Sequence, residues 1–191
     1  MRTFIAIDLT DDILQKIVGI TAYLKTQVPS NAIKWVVEGN LHLTLKFLGE
    51  ISESKVEQIK MLSIKAVHEI NSFNFSVEGL GMYPNHKNPR VIWLGIINEK
   101  PLVKLATLID QALFDAGVPR EKRPFSPHLT IGRVRRSATQ DEINNIGTVL
   151  SQFKVDCLGE MPVEKVQLYQ SELKPRGPIY TPLFDIPLNK V

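Results

Sequence analysis

Two short segments hold the residue types from which a reaction can be built. His42-Leu43-Thr44-Leu45 returns later in the chain as His128-Leu129-Thr130-Ile131. Along a β-strand, alternate side chains point to opposite faces. Each segment, read as a strand, shows its histidine and threonine on one face and its apolar pair on the other. The apolar face belongs in a core, and the other face offers an imidazole and a hydroxyl. Two imidazoles facing each other suit metal-free acid–base chemistry on a phosphodiester. One ring takes a proton from the nucleophile and the other gives one to the leaving group. Unperturbed imidazole titrates near pH ~6.5, so a neutral and a protonated ring coexist near neutrality. Activity built on such a pair rises and falls with pH in a bell shape. Thr44 and Thr130 are placed to donate to the non-bridging phosphoryl oxygens.

Rival chemistries find less support. Zinc sites gather nearby ligands, as in H-E-x-x-H or paired C-x-x-C, and neither pattern occurs here. No metal is therefore expected. Of the four histidines, His68 falls on a predicted helix and His86 in the proline-flanked loop 84–89. A serine nucleophile would call for a G-x-S-x-G elbow, which is absent, as is the G-x-x-x-x-G-K-[ST] loop of nucleotide-binding proteins. No cofactor is expected.

A phosphate also needs a cation. Arg133 is the leading candidate, but it lies five residues after His128, and a regular strand would turn it away from the histidine face. A bulge or bend at Gly132 would bring it back. The matching position in the first segment is Phe47, which reads as core. Lys46, on the His42 face, is a second cationic candidate. Phe125 and Tyr180 are candidates for stacking a nucleobase, and Trp35 and Trp93 read as sheet residues.

The elements that must position these groups look duplicated. Apolar residues at helical spacing predict helices over 12–27 and 101–116, the second stopped by Gly117 and Pro119. Each helix is followed by a linker, a histidine segment and another helix, over 53–70 and 139–150. Ser52 or Ser54 would cap the first of these and Thr139 the second. Phe75 to Pro84 then resembles Phe153 to Pro162, and each reads as a strand ending at a glycine-containing bend. Further strands follow over 91–97 and 163–173. Strands near Arg2 to Leu9 and Ile179 to Pro187 complete the sheets. The expected architecture is α+β: two pseudo-symmetric lobes, each an antiparallel sheet with helices, around a central cleft that carries both histidine strands. Residues 1–191 form a single bilobal domain in this reading.

Composition sets outer bounds. No apolar run approaches a membrane span, and the N-terminus turns acidic too early for a signal peptide. A lone cysteine, Cys157, fits a reducing cytoplasm and reads as a small buried hydrophobe. The net charge of +3 argues little, but its distribution argues more. Arg120, Lys122, Arg123, Arg133, Arg135 and Arg136 surround the second histidine, with Glu121 the one acid among them. A basic cluster beside a candidate site favours an anionic substrate.

The chain resembles the 2H phosphoesterase superfamily and, within it, the bacterial and archaeal RNA 2′,3′-cyclic phosphodiesterases, also called 2′-5′ RNA ligases. The likeness rests on Arg2-Thr3-Phe4-Ile5-Ala6-Ile7, Trp35-Val36, Asn40 through Gly49, Phe125 through Arg133, Leu168 through Leu173, Gly177-Pro178 and Tyr180. It implies hydrolysis of a 2′,3′-cyclic phosphate RNA end to a 2′-phosphomonoester. By the resemblance, His42 is the proton donor to the O3′ leaving group and His128 the base that activates water. Thr44, Thr130 and Arg133 hold the phosphate. Two other readings stay open at this point: a 2′-5′ RNA ligase acting on tRNA halves, and a non-catalytic module that binds RNA ends. The expected partner is RNA ending in a 2′,3′-cyclic phosphate, tRNA fragments among the candidates, with no membrane and a monomeric protein.

Overall fold

A computed structural model describes residues 1–29, 31–175 and 177–190. The strands are β1 (Arg2–Asp8), β2 (Ile33–Trp35), β3 (His42–Glu50), β4 (Phe73–Tyr83), β5 (Val91–Ile97), β6 (His128–Val134), β7 (Glu160–Val163), β8 (Lys165–Lys174) and β9 (Gly177–Pro187). The helices are α1 (Asp11–Gln27), α2 (Glu53–Val67), α3 (Lys100–Phe114) and α4 (Gln140–Gln152).

Each helix buries one stripe. On α3, Leu102, Leu105, Ala106, Ile109 and Leu113 go inward at the spacing of one helical face, and Pro101 in the first turn removes an N–H that would have no partner there. Thr139 caps α4 in a reciprocal capping box with Glu142. Ser52 is the N-cap of α2 but makes no cap hydrogen bond; its hydroxyl meets that of Ser54 instead.

Two antiparallel sheets result. The first runs β3-β1-β8-β9 and the second β2-β6-β5-β4-β7. Central strand β1 is buried from Thr3 to Ile7 without interruption, as expected of a strand covered on both faces. The two lobes are not the two halves of the chain. β8 and β9, from the C-terminal end, complete the sheet that holds His42. β4 and β5, from the first half, complete the sheet that holds His128. Helix α3 follows the same exchange and lies against α2 and β3. Buried residues of both sheets join in one core, and β3 and β6 lie against each other where the sheets meet.

Two expectations need correction. Residues 153–159 form no strand. They run beside a register shift in β4, with Gly79 N–H donating to Val155 O and Leu158 N–H to Val77 O, so only β7 at the end of this segment pairs regularly. Cys157, on that irregular stretch, is exposed rather than buried.

Candidate active site

The two histidine strands share one irregularity. In β3, Ile5 stands opposite Lys46 and Ala6 opposite Thr44, which leaves Leu45 as an extra residue. In β6, Ile92 stands opposite Gly132 and Trp93 opposite Thr130, which leaves Ile131 extra. Both bulges fall three residues after the histidine. A bulge resets the alternation of faces. Up to it, His42 and Thr44, like His128 and Thr130, are half-buried while the residues between them are buried. Past it, Lys46 and Gly132 are buried, and Phe47 and Arg133 emerge on the exposed side.

This settles the parity question left by the sequence. Arg133 returns to the face of His128. Phe47 is not core but 62% exposed. Lys46 is not a cleft residue: it is 2% exposed. Its Nζ donates to Asp110 Oδ1 at 2.5 Å and Pro119 O at 2.9 Å. Asp110 also accepts from Arg120 and from the backbone N–H of Glu121, so one buried pair ties β3 to α3 and to the loop leading into β6. Those donors hold the Asp110 carboxyl below its ordinary value against the opposing effect of burial. The bulge itself needs no glycine. Gly132 instead fits a tight spot: a Cβ there would lie 3.0 Å from both Ile33 Cγ2 and Trp35 Cε3, so these side chains would have to give by a few tenths of an ångström. The extra residue's carbonyl, Ile131 O, is taken up by Val36 N–H at 2.9 Å.

The surroundings of the two rings differ. His42 stacks on Phe4 with centroids 4.8 Å apart and meets Tyr180 edge-on at 5.2 Å, with Tyr169 near both, 5.3 Å from Phe4 and 6.5 Å from His42. Burial lowers its pKa from 6.5 to about 4, while the Asn40 backbone and the charge of Asp8 act in the other direction. Asp8 stands opposite His42 in the strand register and accepts from the Tyr169 hydroxyl at 2.5 Å. His128 has Tyr83 edge-on at 5.2 Å and Trp93 at 6.2 Å. Its Nδ1 lies 2.8 Å from Ser126 O. A carbonyl only accepts, so Nδ1 carries the hydrogen and Nε2 is left for chemistry.

Beside the rings opens a cavity of about 550 Å³ between β2 and the β8–β9 hairpin. Arg133 and Tyr180 belong to both the cavity and the histidine site. Burial raises the Tyr180 phenol above its usual value, with Arg133 and Arg2 pulling it back. Of the stacking candidates, Tyr180 is therefore at the site, whereas Phe125 packs against the core. Trp35 and Trp93 are in strands as expected, yet one lines the cavity and the other flanks His128. His68 and His86 are exposed. Among the described residues, no group of three or more His, Cys, Asp or Glu side chains is arranged to hold a metal, and no helix is long and apolar enough to cross a membrane.

A family model described as LigT like Phosphoesterase matches the chain twice, over residues 7–93 and 94–180. The chain belongs to this family. It is 37% identical to the RNA 2′,3′-cyclic phosphodiesterase of Archaeoglobus fulgidus, over 96% of this chain and 98% of that one. In fold it is similar to a crystal structure of TT0787 from Thermus thermophilus, with TM-score 0.81, 27% identity and 98% of both chains covered. It is also similar to E. coli LigT complexed with 3′-AMP, with TM-score 0.77, 28% identity, and 98% of this chain and 97% of that one covered. In this LigT-like phosphoesterase the border between the two family repeats falls inside β5. The repeats are thus not the lobes, in keeping with the exchanged strands.

Sequence reasoning missed Asp8, Phe4 and Lys34 as residues of the site. Asp8 and Phe4 belong to it through the pairing of β1 with β3, and Lys34 through that of β2 with β6. No local pattern announces either contact.

Proposed function

We propose that this chain is an RNA 2′,3′-cyclic phosphodiesterase, a single bilobal domain that opens a terminal cyclic phosphate to a 2′-phosphomonoester. The observation that carries this reading is the pair of identically bulged histidine strands, which meet from opposite sheets and bring Arg133 onto the same face. Its relatives' names support the substrate class. In the proposed step, His128 Nε2 takes a proton from water as the water oxygen bonds to phosphorus. The bond from phosphorus to O3′ breaks, and His42 gives its proton to that oxygen. Thr44, Thr130 and Arg133 donate to the non-bridging oxygens, where charge builds up. The protein acts as a monomer on RNA ends, those of tRNA fragments included.

The test is incubation with an RNA oligonucleotide ending in a 2′,3′-cyclic phosphate, in excess EDTA, with the product end identified. A 2′-phosphate end is expected, and His42→Ala and His128→Ala each lower the rate by about 10²–10⁴-fold. Full activity in either variant would rule out the two-histidine mechanism.

A further inference from the structure

The cavity beside the histidines has a chemistry that the reaction at phosphorus does not use. Its walls are apolar, from Trp35, Val37, Pro178, Ile179 and Tyr180, and its rim carries Lys34 and Arg133. A volume of about 550 Å³ lies within the range of small-ligand sites, roughly 300–1,000 Å³. Lys34 and Arg133 are direct partners in the β2–β6 register, so their side chains leave the same face of the sheet, and both are exposed. Like charges directly opposite on neighbouring strands repel. An anion between or beside them removes that penalty. Lys174, the other lysine at the rim, is already paired with Glu172 at 2.6 Å, whereas among the described residues no carboxylate pairs with Lys34.

Resting on the proposed activity, we infer that this cavity receives the terminal nucleoside of the RNA and that Lys34 binds the phosphodiester on its 5′ side. Arg133 then holds the cyclic phosphate, and its cross-strand neighbour holds the next one. The largely apolar walls take the base by packing, with Asn40 the one amide side chain among the lining residues. An oligonucleotide end is accordingly preferred over a free cyclic mononucleotide.

Two substrates test this: adenosine 2′,3′-cyclic phosphate, and the dinucleotide that adds one adenosine through a 5′ phosphodiester. Wild type is expected to show the higher kcat/KM on the dinucleotide. Lys34→Gln is expected to lower the dinucleotide-to-mononucleotide ratio of kcat/KM by about tenfold, the size of one charge-assisted hydrogen bond at an exposed site. It is also expected to flatten the dependence of log kcat/KM on log salt by about 0.7 for the dinucleotide. Ile179→Glu, at a position 52% exposed and so tolerant of the change, is expected to raise KM for both substrates. Turnover of both substrates with an unchanged ratio in Lys34→Gln would overturn the phosphodiester assignment. Unchanged KM in Ile179→Glu would overturn the base assignment. A wild type that turns over neither substrate would overturn the cyclic phosphodiesterase reading itself, and the inference with it.

Discussion

Across from His42 on the neighbouring strand stands Asp8, and across from His128 stands Gly95. Opposite the two threonines are Ala6 and Trp93. One step past the bulge, the first strand buries Lys46 and the second Gly132; one step further, Phe47 and Arg133 come to the surface. The backbone device is the same in both lobes, and the side chains hung on it are not. Duplication alone yields two equivalent imidazoles, which is of little use for a reaction that needs one acid and one base. In the proposed mechanism the division of labour comes from the neighbours. His42 is enclosed by aromatic rings and faces a carboxylate. His128 is backed by a carbonyl and shares its face with an arginine.

The largest expected effect concerns the buried side of the comparison. Lys46 and Asp110 form a pair with side-chain exposures of 1% and 15%, and removing one partner of such a pair leaves an uncompensated charge. Asp110→Ala should cost about 3–5 kcal/mol in urea unfolding. A loss under about 1 kcal/mol would mean that Lys46 finds another partner or gives up its proton. Next is the exposed side. Arg133→Gln should lower kcat by about 10²-fold, as for loss of one donor to the developing charge, whereas Phe47→Leu at the matching position should cost less than tenfold. Equal losses would show that the two lobes contribute symmetrically.

Smaller effects come from protons. The His42 pKa is about 4 folded against 6.5 as its ordinary value. Between these values the unfolded chain holds more proton, so stability falls as pH drops from 6.5 towards 4. Wild type should therefore lose more stability over that interval than His42→Asn does, as read from urea midpoints at several pH values. The same shift bears on catalysis. A ring with this pKa is neutral at pH 7 in the free protein, and a donor must acquire its proton as the anionic substrate enters. Binding of adenosine 2′-phosphate at pH 7, where the phosphate monoester is already mostly dianionic, should then take up protons, seen by calorimetry in buffers of different ionisation heat, and His42→Asn should lose that uptake. Heats independent of buffer would take the donor role from His42.

Much of this site is legible in the sequence because its signals are local. The H-x-T segments announce two half-buried faces by alternation, α3 announces itself by its apolar stripe and Gly117, and Thr139 announces a helix cap. What escapes is non-local. The bulges at Leu45 and Ile131 carry no signature of their own, since a leucine or isoleucine there reads as one more inward residue. Plain alternation consequently assigns Phe47 and Lys46 to each other's faces. The likeness of 153–162 to 75–84 is equally misleading, because strand formation depends on a partner edge, and beside the register shift in β4 only β7 finds one.

The exchanged strands have a consequence for how the molecule is made. A chain emerging from the ribosome presents β1 and β3 first, yet β1 lacks its second neighbour until Lys165 to Lys174 is synthesised. The His42 sheet is therefore the first begun and the last finished. The His128 sheet, apart from the short edge strand β7, is complete once Val134 has emerged. Vectorial synthesis thus favours a folding order in which the second histidine strand is seated before the first, and a nascent chain stalled before β8 carries an open edge on β1, the strand paired with that of His42.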